Sequence, residues 1–150
     1  MGSIFGSQPT DLIISNEQEY LQIIKKLYKD QNSFKFYSFY ENREMMENNE
    51  DENVKRLIIL FSISENGQAA FDNAKTSILN LHKKKKSSLI FWISVFPSLY
   101  QMKNSEGFMN SLSEAFDPLI LKIKFTNEIN ISIIQEFLPD MKNIKEKVLF

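Results

Sequence analysis

From Leu57 to Phe61 every side chain is apolar (R-L-I-I-L-F-S-I, Arg56 to Ile63), so the alternation of a strand leaves no polar face for water. A strand of that composition is stable only with both faces covered, which is the situation of an inner strand in a parallel sheet. The residues behind it change period. Ala70, Phe71, Ala74, Ile78 and Leu81 recur at helical spacing and form one apolar stripe. A buried strand running into an amphipathic helix is half of a βαβ unit, and it commits the chain to a layered α/β architecture.

The rest of the chain repeats this alternation. Asp11 to Ser15 is a short apolar strand, and Tyr20, Leu21, Ile24, Leu27 and Tyr28 then share a helical face. Asn16 with Glu19 three residues later reads as a capping box for that helix. Phe34 to Tyr40 is β-prone with aromatics on both faces, so a strand covered on both sides is expected. Ser88 to Val95 is another buried strand. Phe108, Met109, Leu112, Ala115 and Phe116 mark a third helix, and a last strand is expected from Pro118 to Phe125. Ile133, Ile134, Phe137 and Leu138 mark a fourth helix, which Pro139 ends or kinks before an amphipathic tail with Met141, Ile144 and Val148. The expected fold is a three-layer α/β domain, a mainly parallel sheet with helices on both faces. It spans residues 11–150, after a flexible segment 1–10 and with an acidic loop at 41–53.

Composition narrows the chemistry. With 150 residues, 43% of them apolar and 25% charged, the chain suits one soluble domain with a single core. Its 18 basic and 19 acidic residues nearly cancel, so no global field gathers nucleic acid or coats an anionic membrane. Cysteine is absent, which excludes disulfides and thiolate nucleophiles and fits a reducing compartment. No apolar run approaches the ~18 residues of a transmembrane helix. His82 is the sole histidine and reads as a solvated helix-end residue, so zinc sites built on two or three histidines are excluded. Trp92 and the Phe34 to Tyr40 aromatics read as core. RNA stacking on that strand would need a basic, glycine-bearing surround that the chain lacks.

In an open α/β sheet, ligands bind at the carboxyl ends of the strands. A phosphate-binding loop after the first strand requires G-x-x-x-x-G-K-[ST], because glycine lets backbone N–H groups wrap the phosphates while lysine supplies charge. This chain reads S-N-E-Q-E-Y there, and no glycine lies between Gly6 and Gly67. Asn16, Glu17 and Glu19 therefore form a degenerate phosphate loop whose carboxylates repel the anion a helix N-terminus would otherwise bind. A D-x-x-G switch cannot occur in a glycine-free span. The guanine-reading [NT]-K-x-D is replaced by S-V-F-P-S-L-Y, and an S-A-K turn by Phe125, Thr126, Asn127 and Glu128. No nucleotide, metal or other cofactor is expected.

The order of elements, the spacing from Leu57 to Leu81 and the F-D-N at Phe71 to Asn73 resemble the second half of a Ras or Rab fold. The first half is abridged, since about 40 residues separate the first strand from Leu57. That shortened, motif-free arrangement resembles the centromere protein M family of inner-kinetochore pseudo-GTPases, in which a first strand enters its helix without a phosphate loop. The resemblance spans most of residues 11–138 in pattern and rests on no invariant motif. It implies a nuclear, catalytically inactive, nucleotide-free scaffold at the kinetochore, packed against a helical-repeat partner alongside centromere proteins H, I and K. The alternative is an Arf-like or ciliary pseudo-GTPase of membrane traffic at the cytoplasmic face of a membrane. It implies myristoylation at Gly2, where M-G-S-I-F-G-S departs from the acylation pattern by carrying Gly6 in place of Ser or Thr.

Three features remain. Glu41 to Glu52 carries six acids against Arg43, and reads as a solvated loop or as a contact for a basic partner anchored by Met45 and Met46. Lys83 to Lys86 follow a helix and read as a solvated end that complements its C-terminal dipole, with phosphate or lipid contact as the alternative. A constitutive binder needs a fixed apolar patch, for which Tyr37, Met45, Met46, Met141 and Ile144 are the candidate anchors.

Overall fold

The computed structural model describes residues 10–39, 54–63, 67–84, 89–96, 103 and 105–138. In chain order the elements are β1 (Thr10–Ser15), α1 (Tyr20–Leu27), β2 (Phe34–Ser38), β3 (Val54–Ser62), α2 (Gly67–Lys84), β4 (Leu89–Val95), α3 (Ser105–Ala115), β5 (Leu121–Thr126) and α4 (Ile131–Phe137). All five strands are parallel in one sheet, ordered β2-β1-β3-β4-β5. This is the order of a flavodoxin-like doubly wound sheet, so the three-layer expectation holds.

Strand alternation divides the core between two faces. Leu57, Ile59 and Phe61 of β3 turn toward α2 and α3, together with Leu12, Ile14, Ile90 and Trp92. Ile58 and Leu60 turn the other way, with Ile13, Phe91 and Ile93, toward α1 and α4. The unbroken apolar run thus supplies both layers from one strand. In the first layer Trp92 lies 5.5 Å from the Phe71 ring and 6.4 Å from that of Phe61. Each such side chain contributes about 1.5–3 kcal/mol by its burial. Among the described residues the Trp92 indole N–H has no acceptor, and the buried Ser94 hydroxyl on the same strand face has no partner either.

Gly67 opens α2 where the chain has just left β3. A Cβ at this position would stand 2.6 Å from Ile63 Cγ2, so glycine lets the first turn of the helix sit directly on the end of the strand.

Several local expectations are corrected. β1 begins at Thr10, which is buried in the sheet and so does not belong to a flexible segment. β5 begins at Leu121, because Asp117 makes a turn: its side chain accepts from Leu119 N–H, and its carbonyl accepts from the N–H groups of Ile120 and Leu121. β2 is an edge strand with Lys35 exposed and Phe36 half-buried. Tyr37 is 7% exposed and belongs to the core beside Leu12, Ile14 and Phe39, so it is not a surface anchor. His82 is half-buried, not solvated; its Nδ1 is enclosed without a partner among the described residues, and burial lowers its pKa below the ordinary histidine value.

Candidate functional site

In this strand order the chain leaves β1 toward one edge and β3 toward the other, so the crevice of a doubly wound sheet opens between the carboxyl ends of these two strands. A side chain of the protein itself occupies it. Asn16 Nδ2 donates to the Ser62 carbonyl at 2.7 Å, and the Ser62 N–H donates to Asn16 Oδ1 at 2.8 Å. The two bonds continue the β1–β3 ladder one step beyond its end with an amide side chain in place of main chain. Both backbone groups of Ser62, the last residue of β3, are therefore already paired.

The capping box expected at Asn16 and Glu19 is absent for the same reason. Glu19 occupies the cap position with no side-chain hydrogen bond, and α1 starts through the main chain, with Tyr20 N–H on the Glu17 carbonyl. The turn is shaped by Ser15, whose hydroxyl accepts from Glu17 N–H at 3.0 Å. Thr126 ends β5 with the same device on Glu128 N–H. Both hydroxyls serve to terminate strands.

Tyr20, at the start of α1, reaches the crevice. Its pKa is raised above the ordinary phenol value, chiefly by burial; a hydrogen bond with Ser62 opposes the rise, and the nearby Glu17 and Glu19 carboxylates add to it. At neutral pH it is an uncharged hydrogen-bonding group. Asn16, Glu17, Glu19, Tyr20 and Ser62 thus meet at the switch point as a set of oxygens and one amide, with no cation among them and no glycine loop to cradle an anion.

A second polar cluster lies at the opposite end of the same strand pair. Arg56 Nε donates to Asp11 Oδ1 at 3.0 Å, an Arg56 terminal nitrogen donates to Asp11 Oδ2 at 3.1 Å, and the Tyr28 hydroxyl donates to Asp11 Oδ2 as well. Both charged side chains are buried, and the guanidinium lies 5.7 Å from the centroid of the Phe91 ring. Bidentate pairing together with the phenol satisfies the buried carboxylate. Burial, then the Asp11 charge and hydrogen bond, push the Tyr28 pKa far above the ordinary phenol value. No short-range pattern in the sequence points to this network. Its one visible signal in the sequence is a charged residue directly ahead of an apolar run in each of two strands, Asp11 before Leu12–Ile14 and Arg56 before Leu57–Phe61.

Of the residues expected to carry function, Asn16, Glu17 and Glu19 gather at the crevice, while Tyr37 is in the core. Gly2, Met45, Met46, Met141 and Ile144 lie outside the described residues, as does the acidic loop. Lys83 and Lys84 are exposed in the last turn of α2. Among the described residues no helix is long and apolar enough to cross a membrane, and no group of three or more acidic or histidine side chains is arranged to hold a metal ion. In the comparisons with known proteins, no family model, curated protein or solved structure matches the chain.

Proposed function

We propose that this chain is a nucleotide-independent interaction subunit: an abridged GTPase-like domain whose ligand crevice is closed by its own side chain. The observation that carries this reading is the Asn16 amide spanning to both backbone groups of Ser62. In a nucleotide-switched domain the bound phosphate and Mg²⁺ hold mobile loops in one of two states. Here the corresponding turn is held internally, and its carboxylates Glu17 and Glu19 oppose an incoming polyphosphate. A domain with no ligand that discriminates between two states presents one surface at all times. The pattern resemblance to the centromere protein M family gives the most specific form of the proposal, a scaffold of the inner kinetochore beside subunits of the centromere protein H, I and K type. Fold order alone does not select it, since doubly wound sheets host many functions.

The test is titration of fluorescent GTP and ATP analogues with and without Mg²⁺. The expected outcome is no saturable binding and no phosphate release, and a Kd in the micromolar range would overturn the reading.

A further inference from the structure

The sheet has two edges, and they differ. On β2, Lys35, Tyr37 and Ser38 all engage further partners. On β5, no strand lies beyond Lys122, Ile123, Lys124 and Phe125 among the described residues. The pairing of β5 with β4 begins at the Ile120 carbonyl, which accepts from Ile90 N–H, and ends at the Thr126 carbonyl, which accepts from Phe96 N–H. In a parallel ladder alternate residues face the neighbouring strand. The even-numbered residues of β5 therefore bond to β4, and the main-chain groups of Leu121, Ile123 and Phe125 face outward. Leu121 N–H is taken by the Asp117 carbonyl, so among the described residues the Leu121 carbonyl and both main-chain groups of Ile123 and Phe125 are left open.

The side chains along this edge alternate in kind. Ile123 and Phe125 lie on the α2–α3 face, half-buried against its core cluster. Lys122 and Lys124 lie on the other face, in register with Phe91 and Ile93 of β4. Among the described residues neither lysine has an ion pair or hydrogen bond. Leu119, 86% exposed, adds an apolar contact just ahead of the strand.

We infer that β5 is a docking edge for an extended segment of a partner protein that alternates acidic and apolar residues, added as a sixth strand. Main-chain hydrogen bonds to Ile123 and Phe125 supply the pairing. Carboxylates opposite Lys122 and Lys124, and apolar side chains beside Ile123 and Phe125, supply the choice. The same lysines exclude other occupants. Neutral apolar strands would bury unpaired ammonium groups, which is how edge lysines block indiscriminate pairing. A second copy aligned antiparallel along the whole strand would set Lys122 against Lys124 of its partner, like charge on like charge. This inference rests on the reading of the chain as a binding subunit and names the chemistry of its partner. Nucleotide binding would break that reading alone, whereas the experiment below breaks only the assignment of the edge.

The experiment uses the full chain and a synthetic peptide alternating glutamate and valine, followed by isothermal titration. The expected result is saturable binding with a Kd of about 100 µM or tighter, weakening as salt rises. The lysine-for-glutamate version of the peptide should not bind. The double variant Lys122→Glu/Lys124→Glu should reverse this preference, losing the acidic peptide by at least about tenfold and gaining the basic one. Ile123→Pro removes an outward-facing N–H that β4 does not use, together with the half-buried isoleucine side chain; the variant should keep the circular dichroism spectrum of the parent and lose the peptide. Should that variant unfold, the same question passes to the peptide: N-methylation of the residues facing Ile123 and Phe125 should abolish binding, and methylation of the alternate residues should not. Absence of binding to the parent chain, equal binding of both peptides, insensitivity to N-methylation, or a dimer of the parent dispersed by Lys122→Glu/Lys124→Glu would each overturn the proposal.

Discussion

The two ends of the β1–β3 strand pair are both fastened by side chains, with opposite chemistry. At the amino end Asp11 and Arg56 are charged, buried and bidentate, with Tyr28 completing the carboxylate's partners. At the carboxyl end the fastening is a neutral amide, Asn16, on the main chain of Ser62 in a part-buried setting. The difference shows in what happens when a partner is lost. An unpaired charge in a low-dielectric interior is costly, whereas main-chain groups near the surface can turn to water. The amino end is a fixed anchor, and the carboxyl end, where α/β domains bind ligands, is a closure of moderate strength.

The largest effect is expected from Arg56→Met, which strands the Asp11 carboxylate and should destabilise the fold by about 3–5 kcal/mol in chemical denaturation. Replacing Asp11 by leucine in the same chain should recover most of this, because two apolar residues leave no orphaned charge. A loss smaller than that of an Asn16 variant would invert the comparison. Asn16→Ala comes next, at about 2 kcal/mol, since both Ser62 groups lose their protein partners. Hydrogen exchange at Ser62 sharpens this case: its amide should lose protection while the amides of Ile58 and Ile59 keep theirs.

Tyr28→Phe should cost least, about 1 kcal/mol, because Arg56 still holds Asp11. Its diagnostic is alkaline pH. A phenol whose folded pKa is raised above its unfolded value of 10.0 contributes stability that is present below that value and is lost as pH rises past it toward the folded pKa. The parent should therefore weaken steeply above about pH 10, and the Tyr28→Phe variant should weaken less.

Much of the fold was legible in the sequence because it depends on period. The apolar run of β3, the stripe of α2 and the alternation of strands with helices are short-range patterns, and each was recovered. What failed depended on partners distant in the chain. Asn16 has the spacing of a cap to Glu19, yet its amide is drawn across 46 positions to Ser62, and no local rule registers that competition. Asp11 and Arg56 are separated by 45 positions. The candidate anchor Tyr37 is in the core, because an aromatic run does not reveal which of its members faces a helix layer. At the crevice the missing glycines and the carboxylates Glu17 and Glu19 were readable, whereas its closure by the protein's own amide was a property of three dimensions.

Trp92 gives the molecule an optical asymmetry. It is the sole tryptophan, fully buried in the α2–α3 layer with an N–H that meets no acceptor among the described residues, so its emission belongs to one side of the sheet. Far-ultraviolet circular dichroism, in contrast, averages the helices of both sides. Comparing the two signals during denaturation asks whether the layers melt as one cooperative unit. β3 contributes to both clusters through consecutive residues, so loosening either layer exposes the strand that the other packs on. The fluorescence and dichroism midpoints are therefore expected to coincide, with the indole emission shifting from short to long wavelength in a single step.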